Sequence, residues 1–377
     1  MDLKELKKAV KKIAHNSGAK LVGVGSRERL KKTPPSGNMD YCLLGAQSCI
    51  IFAYPNTIDA LENYFSKKER MSIKVCQDIG YATGWKTAVK IAEYIENKTE
   101  YKAHPVIPNA KYRGGTRVVI KDGEAYPDFS LRYGAVAAGL GHLGWSGNLV
   151  TKEYGGSLYL DGVLTTAPLE PDPMAKKNNC NRCLICQKVC TTGYVAKDEQ
   201  EERQLVIIGG VKQIYGKRGL YMKCGIGCAG WTGLSKDGKW STWTPDHICL
   251  KKVPTNELNR HYIQNLMIKL LKSKETPRII RKFNSRIAAS FGKVGITENV
   301  GLRPIEDTNP RCGNCNFICV ADPKKRAELY KMLKNSGKVF LDEKGREYVK
   351  KKDENDNEIT YYPPTWEEYS SYIKKNN

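Results

Sequence analysis

Four cysteines close together constrain this chain more than any other feature. Cys180, Cys183, Cys186 and Cys190 follow one another with gaps of two, two and three residues. Two-residue gaps let a tight loop place three thiolates around three corners of one [4Fe–4S] cube, and the fourth cysteine then points away, toward a second cluster. The run therefore predicts two clusters and requires a further group of cysteines elsewhere in the chain.

That further group is present, with one ligand missing. Its cysteines are Cys312, Cys315 and Cys319. The ligands expected for the first cluster are Cys180, Cys183, Cys186 and Cys319. Those expected for the second cluster are Cys190, Cys312, Cys315 and one of Cys224, Cys228 or Cys249. Cys249 is favoured because it stands alone, as a solitary ligand would, and the Cys224–Cys228 pair is the alternative.

Other uses of cysteine fit the sequence less well. A zinc site wants four ligands in two pairs, and seven cysteines in these two spacings exceed that number. The total of thirteen cysteines is odd, and the charged start of the chain carries no apolar leader, so a disulfide framework is not expected. Cys42, Cys49 and Cys76 are expected to be buried apolar side chains.

Helical and strand patterns alternate before the cysteines. Residues 3–14 and 83–97 have helical spacing, and Leu21–Val24, Ser48–Tyr54 and Ser157–Thr165 have the composition of strands. The alternation predicts a layered α/β domain. The domains expected are 1–172 for substrate or cofactor binding, 173–325 for the clusters with a basic helical insertion at about 251–300, and 326–377 as a small appendage.

The charge predicts an anionic partner. The formal net charge is +22, and residues 251–293 hold eleven lysines and arginines against two acidic residues. A modified tRNA would satisfy this charge through phosphate contacts, an acidic ferredoxin or flavodoxin would satisfy it equally well, and a solvated lysine-rich face is the third possibility. The longest apolar runs are far too short to span a membrane, so we expect a cytoplasmic protein.

The sequence resembles one superfamily. The stretch Asp128–Gly144, the segment Leu164–Asp172 and the cysteine run after them are similar to epoxyqueuosine reductases and reductive dehalogenases. The resemblance implies an α+β protein, in which a nitroreductase-like α/β N-terminal domain precedes a bacterial-type two-cluster ferredoxin domain. It also implies base-off cobalamin, reduced through both clusters, as the group that deoxygenates or dehalogenates the substrate.

The same resemblance implies the remaining site residues. The family's acidic proton donor falls on Ala125 here, so the candidates around it are Tyr126, Asp128 and Glu124. The residues expected near the corrinoid are Arg132, Gly139, Gly141, His142, Gly144, Ser146, Gly147, Asn148 and Thr165. Plainer alternatives are a helix N-cap for Asp128, close backbone packing for the glycines and a satisfied loop histidine for His142.

The function predicted first is thus an epoxyqueuosine reductase-like enzyme. It would take electrons from reduced ferredoxin or flavodoxin and act on a small molecule or a modified tRNA. The alternative is an electron-transfer protein or reductive activator that serves another protein's corrinoid and has no substrate of its own.

Overall fold

The computed structural model describes residues 1–106, 127–195, 203–219, 221–228, 230–245 and 310–376, with a few shorter pieces between 265 and 302. Three calls on site residues lie outside the described residues, namely Cys249, Glu124 and Tyr126, as does most of the basic insertion at 251–300. Within the described ranges, no helix combines the length and the apolar character needed to cross a bilayer.

An antiparallel sheet of four strands forms the centre of the N-terminal part. Its strands, in spatial order, are β1 (Leu21–Ser26), β2 (Ser48–Pro55), β6 (Leu158–Thr165) and β3 (Ala103–Val106). Ser48 of β2 pairs with Thr165 of β6, and Ala103 pairs with the same residue from the other side. Nearly every residue of β2 and β6 is buried, because helices cover both faces of the sheet.

The two faces of the sheet carry different helices. Helices Leu3–Asn16 and Gly84–Lys98 pack on one face, in one apolar cluster with Ile50 and Phe52 of β2. Helix Leu131–Ala137 packs on the other, in a cluster with Ile51 of β2. The alternation follows from the two-residue period of a strand, which sends neighbouring side chains to opposite faces.

Most elements of this layer match the sequence expectations. The helices expected at 3–14 and 83–97 and the three expected strands are all present, each within about two residues of its predicted ends. The mixture of helix and sheet confirms the α+β class. One helix begins irregularly, since helix Met71–Asp78 continues through a five-residue π-helical turn, Ile79–Thr83, into Gly84–Lys98.

The remaining elements are short, apart from two helices of twelve and eleven residues near the C-terminal end. The other helices are Arg27–Leu30, Ile58–Ser66, Ile185–Lys188, Tyr221–Cys228, Asn314–Phe317, Pro323–Lys334 and Trp366–Asn376. Three two-stranded pairs are β4 (His142–Leu143) with β5 (Leu149–Val150), β7 (Arg203–Ile208) with β8 (Val211–Gly216), and β9 (Ile296–Thr297) with β10 (Gly301–Leu302). A three-stranded antiparallel sheet, called here the C-terminal sheet, contains β11 (Lys338–Leu341), β12 (Glu347–Lys352) and β13 (Glu358–Tyr361).

The expected connector and appendage are both packed onto the rest of the chain. Asp172 in the proline-rich connector forms ion pairs with Lys7 and Lys11, each at 2.9 Å. The C-terminal sheet shares an apolar cluster with helix Ile58–Ser66, to which Val339 and Val349 contribute. Neither segment is a loose extension of its neighbours.

Candidate metal centres

The first group of thiols forms around the short helix Ile185–Lys188. Cys186 lies on this helix and is buried. Its thiol faces Cys319, Cys180 and Cys183, and burial together with these three neighbours raises the pKa of Cys186. The structure therefore brings together the four cysteines expected for the first cluster, although more than a hundred residues separate Cys319 from the others.

Two donors point at sulfur atoms of this group. The backbone N–H of Trp145 donates to Sγ of Cys180 at 3.4 Å. Nη1 of Arg326 donates to Sγ of Cys183 at 3.3 Å, while its Nη2 donates to the carbonyl of Val320 at 2.7 Å. Hydrogen bonds to sulfur are among the contacts by which a protein tunes a bound iron–sulfur cluster.

Glycines let the sheet domain approach this first group closely. A Cβ at Gly144 would lie 3.5 Å from Sγ of Cys180, and one at Gly156 would lie 3.4 Å from Sγ of Cys319. At Gly155, with φ of +62°, a Cβ would lie 2.1 Å from the carbonyl oxygen of Cys319. The segment before β6 is thus in direct backbone contact with the cysteine loops.

The second group contains five thiols, one more than a single cube needs. Its members are Cys190, Cys224, Cys228, Cys312 and Cys315. Sγ of Cys224 and Sγ of Cys228 are 3.7 Å apart. A hydrogen bond from the Cys228 thiol lowers the pKa of Cys312 to about 7. Helix Tyr221–Cys228 therefore brings both members of the Cys224–Cys228 pair to the three expected ligands.

A loop N–H also points at this second group. The backbone N–H of Tyr194 donates to Sγ of Cys190 at 3.2 Å. Burial raises the pKa of Cys190, and a hydrogen bond from the backbone of Val195 partly opposes that rise. The two groups of thiols are neighbours in the chain, because Cys186 and Cys190 lie on and just beyond the same helix.

The donor chemistry fits iron–sulfur clusters. All twelve cysteines within the described ranges are free thiols. Among the same residues, no three or more His, Cys, Asp or Glu side chains converge tightly enough to share one metal ion. Groups of four and five sulfur donors match the four thiolates that a [4Fe–4S] cube takes.

The expected proton donors are only partly described. Of the three candidates, Asp128 lies within the described residues, just ahead of helix Leu131–Ala137. The alternative that Asp128 caps this helix is wrong, because the N-cap is Ser130, whose Oγ accepts from the N–H of Tyr133 at 3.4 Å. Ser130 immediately precedes the first helical residue, whereas Asp128 lies two residues further away.

At three of the glycines expected near the corrinoid, the space beside the Cα is already occupied by other atoms of the chain. A Cβ at Gly139 would lie 2.0 Å from the carbonyl oxygen of Pro173, and one at Gly141 would lie 2.3 Å from that of Val150. A Cβ at Gly147, with φ of +69°, would lie 2.3 Å from Nη2 of Arg218. These contacts give the glycines the close-packing role, and contact with a macrocycle stays a prediction.

The polar residues of the same set are also engaged with the chain. Nε2 of His142 lies 2.9 Å from the carbonyl of Ala175, and Nδ1 lies 3.2 Å from Nε2 of Gln213. Thr165 Oγ1 donates to the carbonyl of Lys102 at 2.9 Å. Ser146 Oγ accepts from the N–H of Asn148 at 3.4 Å. His142 is therefore a satisfied buried histidine in this structure.

Two arginines meet at Gly147, and the sequence reasoning identified only one of them. Nη1 of Arg132 donates to the carbonyl of Gly147 at 2.8 Å, and Nε of Arg218 donates to the carbonyl of Ser146 at 3.0 Å. Within the described part of the chain, neither arginine has a carboxylate in an ion pair. Burial lowers the pKa of Arg132, and the nearby Arg218 charge adds to this. Arg218 lies outside any motif spacing, so no sequence signal pointed to it.

Comparison with known proteins places the chain near one class of reductases. Epoxyqueuosine reductase from Listeria monocytogenes is 42% identical over 59 residues, which are 16% of this chain and 15% of that protein. The match thus spans about one seventh of the relative's length. No family model matches.

Solved structures of epoxyqueuosine reductases and of reductive dehalogenases are also similar to this chain. They include epoxyqueuosine reductase from Streptococcus thermophilus, with 19% identity, a TM-score of 0.33 and coverage of 51% of this chain and 54% of that one. A catabolic reductive dehalogenase has 15% identity, a TM-score of 0.43 and coverage of 78% and 37%. The 59-residue match confirms the predicted resemblance to epoxyqueuosine reductases.

Proposed function

We propose that this chain is an oxidoreductase that carries two [4Fe–4S] clusters and a base-off cobalamin and reduces a substrate of the epoxyqueuosine type. The observation that carries the proposal is the assembly of two groups of thiols from segments 180–190 and 312–319, against the glycine segment of the sheet domain. The similarity to an epoxyqueuosine reductase supports the reductase class.

The ligands of each proposed cluster follow from the thiol groups. The first cluster takes Cys180, Cys183, Cys186 and Cys319. The second takes Cys190, Cys312, Cys315 and a fourth ligand. Cys228 is our choice for that ligand because its thiol is hydrogen-bonded to Cys312. Cys224 and the sequence-favoured Cys249 are the alternatives.

The chain's own residues supply positioning and charge. When bound, the clusters transfer single electrons and the corrinoid supplies a strongly reducing metal. Arg326 places a positive charge, and the N–H of Trp145 a hydrogen-bond donor, at the first group of thiols, and both would stabilise bound thiolates. Arg132 and Arg218 present two cations at Gly147, where an anionic group would relieve their repulsion. A proton for the substrate would come from Tyr126, Asp128 or Glu124.

The proposed substrate is a modified nucleoside carried by tRNA. A net charge of +22 favours a polyanion, and the Listeria relative is named for such a nucleoside. The related alternative is a reductive dehalogenase, which would act on a halogenated small molecule. The electron donor would be reduced ferredoxin or flavodoxin, and the setting would be the cytoplasm.

Anaerobic reconstitution tests the proposal. The full chain should bind about eight irons and eight sulfides per molecule, and it should take up one equivalent of cobalamin whose cobalt shows a base-off electron paramagnetic resonance signal. Two clusters without cobalamin would instead support the electron-transfer protein. Zinc alone, or about four irons, would contradict the two-cluster assignment.

The fourth ligand of the second cluster can be identified separately. Cys228→Ser should lower the iron content to about half, while Cys224→Ser and Cys249→Ser should leave it unchanged. Cys76→Ser is the control, since this thiol belongs to neither group. A loss of iron in Cys249→Ser with full iron in Cys228→Ser would return the assignment to Cys249.

A further inference from the structure

The outer face of the C-terminal sheet carries three aromatic rings in a row. The rings of Phe340 and Tyr348 are stacked, with centroids 5.5 Å apart and an interplanar angle of 23°. The ring of Tyr362, just after β13, lies 5.7 Å from that of Tyr348. The row therefore crosses β11 and β12 and ends at the residue that follows β13.

The strand register shows that these rings face away from the core. Val339 pairs with Val349, and both are fully buried in the apolar cluster on the inner face. Phe340 pairs with Tyr348, one residue along each strand, so both project from the opposite face. Tyr362 lies one residue beyond Tyr361, which pairs with Val349, and is 48% exposed.

A second row on this face is basic. Lys338 and Lys350 are directly opposed across β11 and β12, an arrangement that is unfavourable for like charges. Lys350 Nζ also lies 6.0 Å from the centroid of the Phe340 ring. At the other end of the aromatic row, the guanidinium of Arg346 lies 5.1 Å from the ring of Tyr362. Cations thus flank the rings on two sides.

Acidic residues at the rim neutralise part of this charge. Glu358 pairs with Lys350 at 3.0 Å, and Glu368 pairs with Arg346 at 3.2 Å. Every side chain in these two ion pairs is at least 39% exposed. Exposed ion pairs of this kind contribute about 0–1 kcal/mol to stability. Because these pairs are weak, a phosphate could displace Glu358 and Glu368 from them. Lys338 has no ion pair within the described residues.

We propose that the outer face of the C-terminal sheet, carried by Phe340, Tyr348 and Tyr362 with Lys338, Lys350 and Arg346, binds single-stranded RNA. Unpaired bases stack on aromatic rings of a sheet, and a cationic row beside the rings follows the phosphates. Tyr362 is the exposed ring of the row, and Phe340 and Tyr348 are half-buried. An acidic protein would use the cations but would leave the three aligned rings without a function. The face is distinct from the thiol groups, so this inference extends the proposed function without depending on it.

Fluorescence anisotropy on the full, anaerobically reconstituted chain tests this proposal. The probe is a fluorescein-labelled, mixed-sequence single-stranded RNA of about 12 nucleotides, within the range one sheet surface covers. Tyr362→Leu and Tyr348→Leu should each weaken binding about tenfold, which is within the effect of one lost stacking contact. Lys338→Gln with Lys350→Gln should weaken it and flatten its dependence on salt.

The matched control is Tyr41→Leu, because Tyr41 is 49% exposed in the N-terminal part and lies far from this sheet in the chain. This variant should bind the RNA like the unchanged protein. Thermal unfolding and iron content, measured on every variant, separate lost contacts from lost folding. Duplex RNA of the same sequence should compete weakly, since its bases are already stacked.

Three results would overturn the proposal. The first is equal binding by Tyr362→Leu, Tyr348→Leu and Tyr41→Leu. The second is displacement of the RNA by poly-glutamate at equal charge with no effect of the tyrosine variants, which would assign the face to an acidic protein. The third is no RNA binding at low salt. Loss of reductase activity or of cobalamin binding bears only on the proposed function.

Discussion

The sheet domain and the cysteine loops are stabilised by different means. Strands β2 and β6 are buried between helices on both faces, and two apolar clusters hold them there. The cysteine loops contain the four-residue helices Ile185–Lys188 and Asn314–Phe317, and the apolar cluster around Trp145 includes Cys180, Cys190 and Cys315 themselves. The first region is maintained by burial of apolar surface, whereas we expect the second to depend on the proposed clusters.

Removal of iron should show this difference most strongly. In the chelated protein, amide exchange in residues 180–195 and 310–320 should accelerate more than a thousandfold, about 4 kcal/mol of local stability. Exchange in β2 and β6 should change little because their partners are apolar side chains and other strands. Mass spectrometry of peptides from exchanged protein gives both values. Uniform loss of protection would show that the two regions fold as one unit.

Gly155→Ala should have the next largest effect, because Gly155 lies where the two regions meet. Residue 155 has a left-handed backbone conformation, and the new Cβ would collide with the backbone of Cys319. We expect the free energy of unfolding to fall by about 3 kcal/mol, together with loss of iron from the first cluster. Denaturant unfolding and iron analysis check this. Gly210→Ala is the control, since Gly210 has φ of +81° and open space around it, and it should cost about 1 kcal/mol and no iron.

Asp161→Asn should stabilise the sheet domain by about 1–2 kcal/mol at neutral pH. Asp161 lies on β6 with 0% exposure, and neither carboxyl oxygen has a hydrogen-bond partner among the described residues. Burial raises the pKa of this carboxyl well above its ordinary value. The unfolded chain releases the proton above about pH 4 while the folded chain keeps it, so stability falls as pH rises.

Thermal unfolding at several pH values measures this effect. The gain from Asp161→Asn should be largest near pH 7 and should shrink toward pH 4, where both states of the natural chain are protonated. The exposed Asp59→Asn should show no comparable gain. A benefit of the same size at pH 4 and pH 7 would contradict a buried, protonated carboxyl.

Sequence patterns predicted the sheet domain well because its chemistry is local. Apolar residues at helical spacing, as in Leu6, Val10 and Ala14, report directly which face is buried. Three members of the first thiol group were also predictable, since the spacing of Cys180, Cys183 and Cys186 is a property of one loop, and the second cysteine motif supplied Cys319. The choice among Cys224, Cys228 and Cys249 was not, because it depends on where a distant helix packs.

Two further features were beyond sequence reasoning for the same reason. Arg218 reaches Gly147 only through the end of β8, which no motif marks. The row formed by Phe340, Tyr348 and Tyr362 depends on the register of three strands. A change of one residue in that register would turn each ring to the opposite face.

The short link between Cys186 and Cys190 has a consequence for electron flow. They are four positions apart in the chain, so their Cα atoms can never be more than roughly 14 Å apart, however the rest of the molecule moves. If each anchors its own cube, the tunnelling distance between the cubes is set by a covalent tether. Conformational changes would then control electron transfer only where a donor docks or where the substrate is held. Transfer between the two clusters would run at a constant rate.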